Sequence, residues 1–250
     1  MNNESKINKL IIKSAYIVII VLIIAVIALL ILKYEVEGEQ NMPFKLSSII
    51  VISNAEGYQQ EQNEEYAWDV EIYQNNDIYL NIEKNKNYKE QEAIKSVVID
   101  NIEVNKQPQV GVLDFYRPSS ESLQTYSYEE EYKITEKIEY IGNTTSDIKN
   151  LRISNQGNTL ILRVLNKTGK RYTSNEEEFE HNGKLLNKVG LNYEEIKVKI
   201  SFDLTINTES GNSFKANVEL DLPVGDITKE GSSSLEIKDM KNIVFKREQT

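Results

Sequence analysis

Eighteen consecutive residues, Ala15 to Leu32 (AYIVIIVLIIAVIALLIL), carry no charge, no Gly and no Pro. Helices of soluble proteins keep a polar stripe, and this run has apolar residues on every face. At ~1.5 Å of rise per residue, the run with its flanks is long enough for a hydrocarbon core of about 30 Å. The sequence therefore predicts a transmembrane helix over residues 14–33, and membrane is the first expected partner. A cleavable signal peptide would have a shorter apolar region and a small-x-small site, which Lys33-Tyr34-Glu35-Val36-Glu37 does not offer. A lipid-modified anchor would need a cysteine, and there is none. A pilin-type assembly helix would carry a Gly-Phe processing site and an early Glu; Lys13-Ser14-Ala15 and an acid-free span stand there instead. An uncleaved signal anchor fits best.

The flanks set the direction. Lys6, Lys9 and Lys13 precede the run, and positive residues favour the cytoplasmic side. Residues 1–13 are then a cytoplasmic tail, 34–43 a linker and 44–250 an extracellular domain on the plasma membrane. Asn, Ile and Lys, all with A/T-rich codons, are abundant, which points to an AT-rich bacterial genome.

The whole chain holds 29 basic and 39 acidic residues. Beyond residue 13 the count is 26 against 38, a formal charge near −12. Such a balance argues against nucleic acid, which demands a basic face. It also suggests repulsion from anionic headgroups and wall polymers.

Past the linker the apolar pattern changes to period two, the mark of half-buried strands. Trp68, Val70 and Ile72 alternate with Asp69 and Glu71, and Ile78, Leu80 and Ile82 alternate with Tyr79, Asn81 and Glu83. Asn75-Asn76-Asp77 between them predicts a hairpin turn. The longest alternation runs Ile196 to Asn207, turns at Glu209-Ser210-Gly211-Asn212 and returns from Phe214 to Leu222. Weaker strands are expected near 46–53, 94–104, 110–116, 132–141, 160–165 and 243–246. Short helices are expected at Lys184–Val189, stopped by Gly190, and at a turn begun by Asn192 with Glu195 three residues on. The fold class is mostly β: one N-terminal transmembrane helix, then an antiparallel β-sandwich. Residues 117–131, with a Pro, several Ser and three consecutive Glu, are either a surface loop or the point where the domain divides.

The chemistry is sparse. Without cysteine there is no thiol nucleophile or cysteine-ligated metal, and one histidine excludes a two-histidine site. His181 precedes Asn182-Gly183, which reads as a solvated turn. The acids Glu176, Glu177, Glu178 and Glu180 lack the alternating spacing of a calcium loop. Ser146-x-x-Lys149 and Lys167-Thr168-Gly169 match two elements of penicillin-binding enzymes, but no Ser-Asp-Asn lies between them and they stand too close together. No Gly-rich phosphate loop follows a strand, so no nucleotide is expected. No catalytic, cofactor-binding or metal residue is singled out, and no cofactor is expected. Paired carboxylates stay open only because acids are so many. The expected function is a non-enzymatic, membrane-tethered cell-envelope protein whose sandwich binds a protein or a wall component. The alternatives are a carbohydrate-binding or carboxylate-dependent wall-glycan hydrolase and a structural subunit of a secretion or pilus-like assembly. Exposed coplanar tyrosines would favour the sugar reading.

Overall fold

A computed structural model describes residues 13–29, 42–59, 68–119, 125–142, 151–174 and 184–248. Helix α1 occupies residues 13–29, and every one of them is exposed. Among the described residues no helix is long and apolar enough to cross a membrane. Residues 30–33 of the expected span, most of the linker and the first twelve residues lie outside them.

Among the described residues eleven strands follow in chain order: β1 (Phe44–Gln59), β2 (Trp68–Lys84), β3 (Ile94–Lys106), β4 (Val112–Tyr116), β5 (Ile138–Gly142), β6 (Arg152–Ile153), β7 (Thr159–Ser174), β8 (Val198–Thr208), β9 (Ser213–Leu222), β10 (Ser232–Ile237) and β11 (Lys246–Glu248). They form a five-stranded sheet, β10-β1-β2-β7-β4, and a six-stranded sheet, β11-β9-β8-β3-β5-β6. All pairings are antiparallel except β5 with β6.

The period-two residues explain the packing. Ile49, Leu80 and Leu162 of the first sheet meet Val97, Phe202 and Val218 of the second in one apolar cluster that draws on the chain from Met42 to Phe245. The long strands largely turn their alternate polar residues away from that cluster, giving a β-sandwich-like fold.

The first sheet outruns the second. At about 3.3 Å per residue, the 17 residues of β2 span roughly 55 Å. Beyond the sandwich core its inner face is covered by α2 (Lys184–Lys188), a 3-10 turn (Tyr193–Ile196) and α3 (Ile227–Glu230). Leu185, Leu186, Ile196 and Ile227 close a second apolar cluster over Ala55, Val70 and Ile72. α2 ends as the sequence predicts, with Gly190 at φ +76°. The 3-10 turn carries the expected capping box between Asn192 and Glu195.

The expected turn at Asn75-Asn76-Asp77 is absent. β2 runs straight through those residues, paired on one side with β1 and on the other with β7. Asn76 and its neighbour Gln74 are spent in a buried polar layer between the two apolar clusters. Ser53 Oγ donates to Asn76 Oδ1 at 2.8 Å, and Asn76 Nδ2 donates to the Val164 carbonyl at 3.4 Å. Gln74 donates to the Ile196 carbonyl at 3.3 Å and accepts from Asn166 at 3.1 Å. Tyr132, expected at the start of a strand, ends a 3-10 turn, and β5 begins only at Ile138.

Candidate functional site

Two places gather chemistry among the described residues: the outer face of the first sheet, and the end of the sandwich where the chain enters.

On the outer face, Asp77 of β2 and Arg163 of β7 are direct cross-strand partners. The guanidinium grips both carboxylate oxygens, Nε to Oδ1 at 2.6 Å and Nη2 to Oδ2 at 2.8 Å. Burial alone would lower the Arg163 pKa, but the Asp77 carboxylate raises it, so the group stays charged. The Tyr126 ring lies 4.3 Å from the guanidinium carbon, a cation–π contact. Arg163 Nη1 donates to the Tyr128 oxygen, whose hydroxyl shares a 2.6 Å hydrogen bond with Tyr58; Tyr58 donates in turn to Glu56 at 2.6 Å. Tyr73 and Tyr116 meet Tyr128 edge-on, with centroids at 6.2 and 5.2 Å. Burial pushes the Tyr58 and Tyr126 hydroxyls well above their ordinary pKa and raises that of Tyr128.

One row along, Asp114 of β4 is clasped by Lys133 at 2.6 Å and Lys167 at 2.9 Å. Burial would raise its pKa, yet the two ammonium groups hold it below the usual carboxylate range. Together these contacts fasten onto the sheet residues 125–134, which include the end of the 117–131 stretch that reads as a loop or dividing point. Beneath them Asn75 is fully buried, and neither of its amide atoms has a hydrogen-bond partner.

Chemically the cluster is a clamp. Its charges are matched; Tyr128 meets its ring neighbours edge-on, while Tyr58 and Tyr73 lie tilted at 32° with centroids 4.5 Å apart. Asp69, the buried acid of β2, pairs with Arg171 at 2.5 Å. Among the described residues the carboxyls with displaced pKa (Asp114, Asp203 and Asp226) all move down, away from the range a general acid needs.

The entry end holds two adjoining clefts of about 450 and 860 Å³. Met42, Lys45, Lys238, Lys241 and Phe245 line the first, Lys84, Lys86, Tyr88 and Gln156 the second, and Ser47 and Asn85 border both.

His181, the acids 176–180 and Ser146-x-x-Lys149 lie outside the described residues. Lys167-Thr168-Gly169 is a β-bulge: the register jumps from Ile72↔Lys170 to Tyr73↔Lys167. Gly169 there takes φ +67°, and the Thr168 hydroxyl donates to the Ile72 carbonyl. Among the described residues no group of three or more His, Asp or Glu is placed to hold a metal. Trp68 shares the face of Val70 and Ile72 and is half-buried. Sequence reasoning passed over Arg163, although a lone charge inside Leu160-Ile161-Leu162-Arg163-Val164-Leu165 is a signal of a buried ion pair.

Compared with known proteins, the chain matches no family model, no curated protein and no solved structure.

Proposed function

We propose that the protein is a single-pass, membrane-anchored cell-envelope protein whose β-sandwich serves a non-enzymatic interaction with an envelope protein or a wall component. The observation that carries this reading is α1: an apolar helix exposed along all of residues 13–29 requires an apolar surrounding, and the uncharged run continues to Leu32. Lysines ahead of the run support a cytoplasmic N-terminus and an outward domain. The interaction reading is supported by the pairing of each buried acid on the first sheet with a cation and by carboxyl pKa shifts that all run downward.

Membranes from bacteria expressing the full chain test the anchor. The protein is expected to stay in the pellet after alkaline carbonate extraction, and protease added to protoplasts is expected to digest the sandwich. Release by carbonate, or complete protection, overturns the assignment. In-cell crosslinking of the anchored chain then tests the interaction: reproducible capture of one envelope protein or wall fragment is expected. Turnover of wall glycan by the purified full chain refutes the non-enzymatic reading.

A further inference from the structure

The acidic charge of the chain is unevenly placed. Register and backbone hydrogen bonds bring five segments to the end where the chain enters: residues 42–47, 82–95, 151–159, 207–214 and 236–248. Phe44 pairs with Lys84, Asn81 with Thr159 and Ile49 with Ile237. The Asn85 amide donates to the Pro43 carbonyl, Ile94 to Asn155 and Glu209 to Ala93. These segments contain ten Lys and Arg against seven Asp and Glu, a formal +3. The other described residues from Met42 on hold fourteen basic and nineteen acidic residues, a formal −5. An acidic domain thus carries a basic end.

That end is also tied to α1. Only nine residues separate Leu32 from Met42. Whatever path they take, at ~3.3–3.6 Å per residue they keep Met42 within about 36 Å of the end of the apolar run. Lys45, Lys84 and Lys86 have no carboxylate partner among the described residues, whereas Lys238 and Lys241 are shared with Glu236 and Asp239.

We propose that the chain-entry end of the sandwich is a docking face for anionic lipid headgroups, with Lys45, Lys84 and Lys86 making the contact. The inference rests on the membrane-anchored reading and gives the anchored domain an orientation. The basic end is drawn to a negative surface and the net acidic remainder of the described domain is pushed away from it, so the two halves of the charge act in the same sense. The expectation that the domain as a whole is repelled by headgroups gives way to a polar one.

The absence of cysteine makes the test clean. The full chain carrying Asn87→Cys at the entry end, or Asn187→Cys on α2 at the other, is labelled with a fluorophore. It is reconstituted in phosphatidylcholine vesicles with or without about 30 mol % phosphatidylglycerol and a headgroup-linked quencher. Quenching at position 87 is expected to rise several-fold with phosphatidylglycerol and to fall back in ~0.5 M salt. The Lys45→Gln/Lys84→Gln/Lys86→Gln variant, with unchanged circular dichroism, is expected to lose the rise. Position 187 is expected to stay unquenched throughout. Quenching at 87 that ignores lipid charge, or that survives the triple substitution, overturns the proposal. So does release by inorganic phosphate beyond that by sodium chloride of equal ionic strength, which would make the ligand free phosphate. Vesicle flotation separates the two readings. Failure to float with pure phosphatidylcholine refutes the anchor, whereas flotation with both compositions and no charge effect at 87 refutes only the docking face.

Discussion

The Tyr140 hydroxyl of β5 sits between the backbone amide and carbonyl of Ile161 on β7, accepting from the N–H at 3.2 Å and donating to the C=O. β4 covers the edge of β7 only from Arg163 to Lys167, so the strand is bare at Ile161, and a side chain from the opposite sheet closes the gap. Tyr140→Phe keeps the ring in the core and strips both backbone groups of their partner. A loss of about 1–3 kcal/mol is expected, read from the urea midpoint at unchanged slope.

Removing Asp77 strips the Arg163 guanidinium of the carboxylate it grips with two hydrogen bonds. Asp77→Ala is expected to cost about 3–5 kcal/mol, whereas replacing both residues with apolar ones of similar volume costs much less. A double-mutant cycle by chemical denaturation measures the difference. Equal losses in the single and double variants would sink the clamp.

Asn75 behaves in the opposite sense. It is fully buried with both amide atoms unpartnered, so Asn75→Leu, which keeps the shape and drops the polarity, is expected to raise stability by ~1–3 kcal/mol. Loss of stability in the thermal melt would show that the amide has a partner.

Asp114 gives the protein an acid limb. Its folded pKa lies below the ordinary carboxylate value, so the unfolded chain takes up the proton first as pH falls. Its contribution is complete above about pH 4–5 and drains away as pH drops through the lower folded value. Asp114→Asn is expected to flatten the decline in stability below about pH 4 and to lower stability at neutrality. Denaturation midpoints measured from acid to neutral pH check both effects.

What could be read from the residues follows from where each partner lies. The alternation of β8 and β9 survives because one face meets the core along the whole strand, so burial and sequence period agree. The centre of β2 broke the pattern because Gln74, Asn75 and Asn76 carry turn chemistry locally, while what satisfies Gln74 and Asn76 (Ser53, Val164, Asn166 and Ile196) comes from remote segments. β10 was missed because Ser232-Ser233-Ser234 has little strand preference of its own and is extended through pairing with β1. The tyrosine clamp was hidden for a related reason. Tyr126 and Tyr128 sit in a stretch whose Ser and Glu content spells loop, and only the fold lays that stretch over Arg163.

The long pairing of β1 with β2 has a mechanical side. Fifteen register pairs join them from Phe44↔Lys84 to Gln59↔Val70, with hydrogen bonds running across the strand axis. A pull on the chain ahead of Phe44, resisted at the far end of the sandwich, would act along β1. It would slide the strand as a whole past its neighbour instead of unzipping it one bond at a time. Resistance shared over the full ladder is what a domain held by its first strand requires.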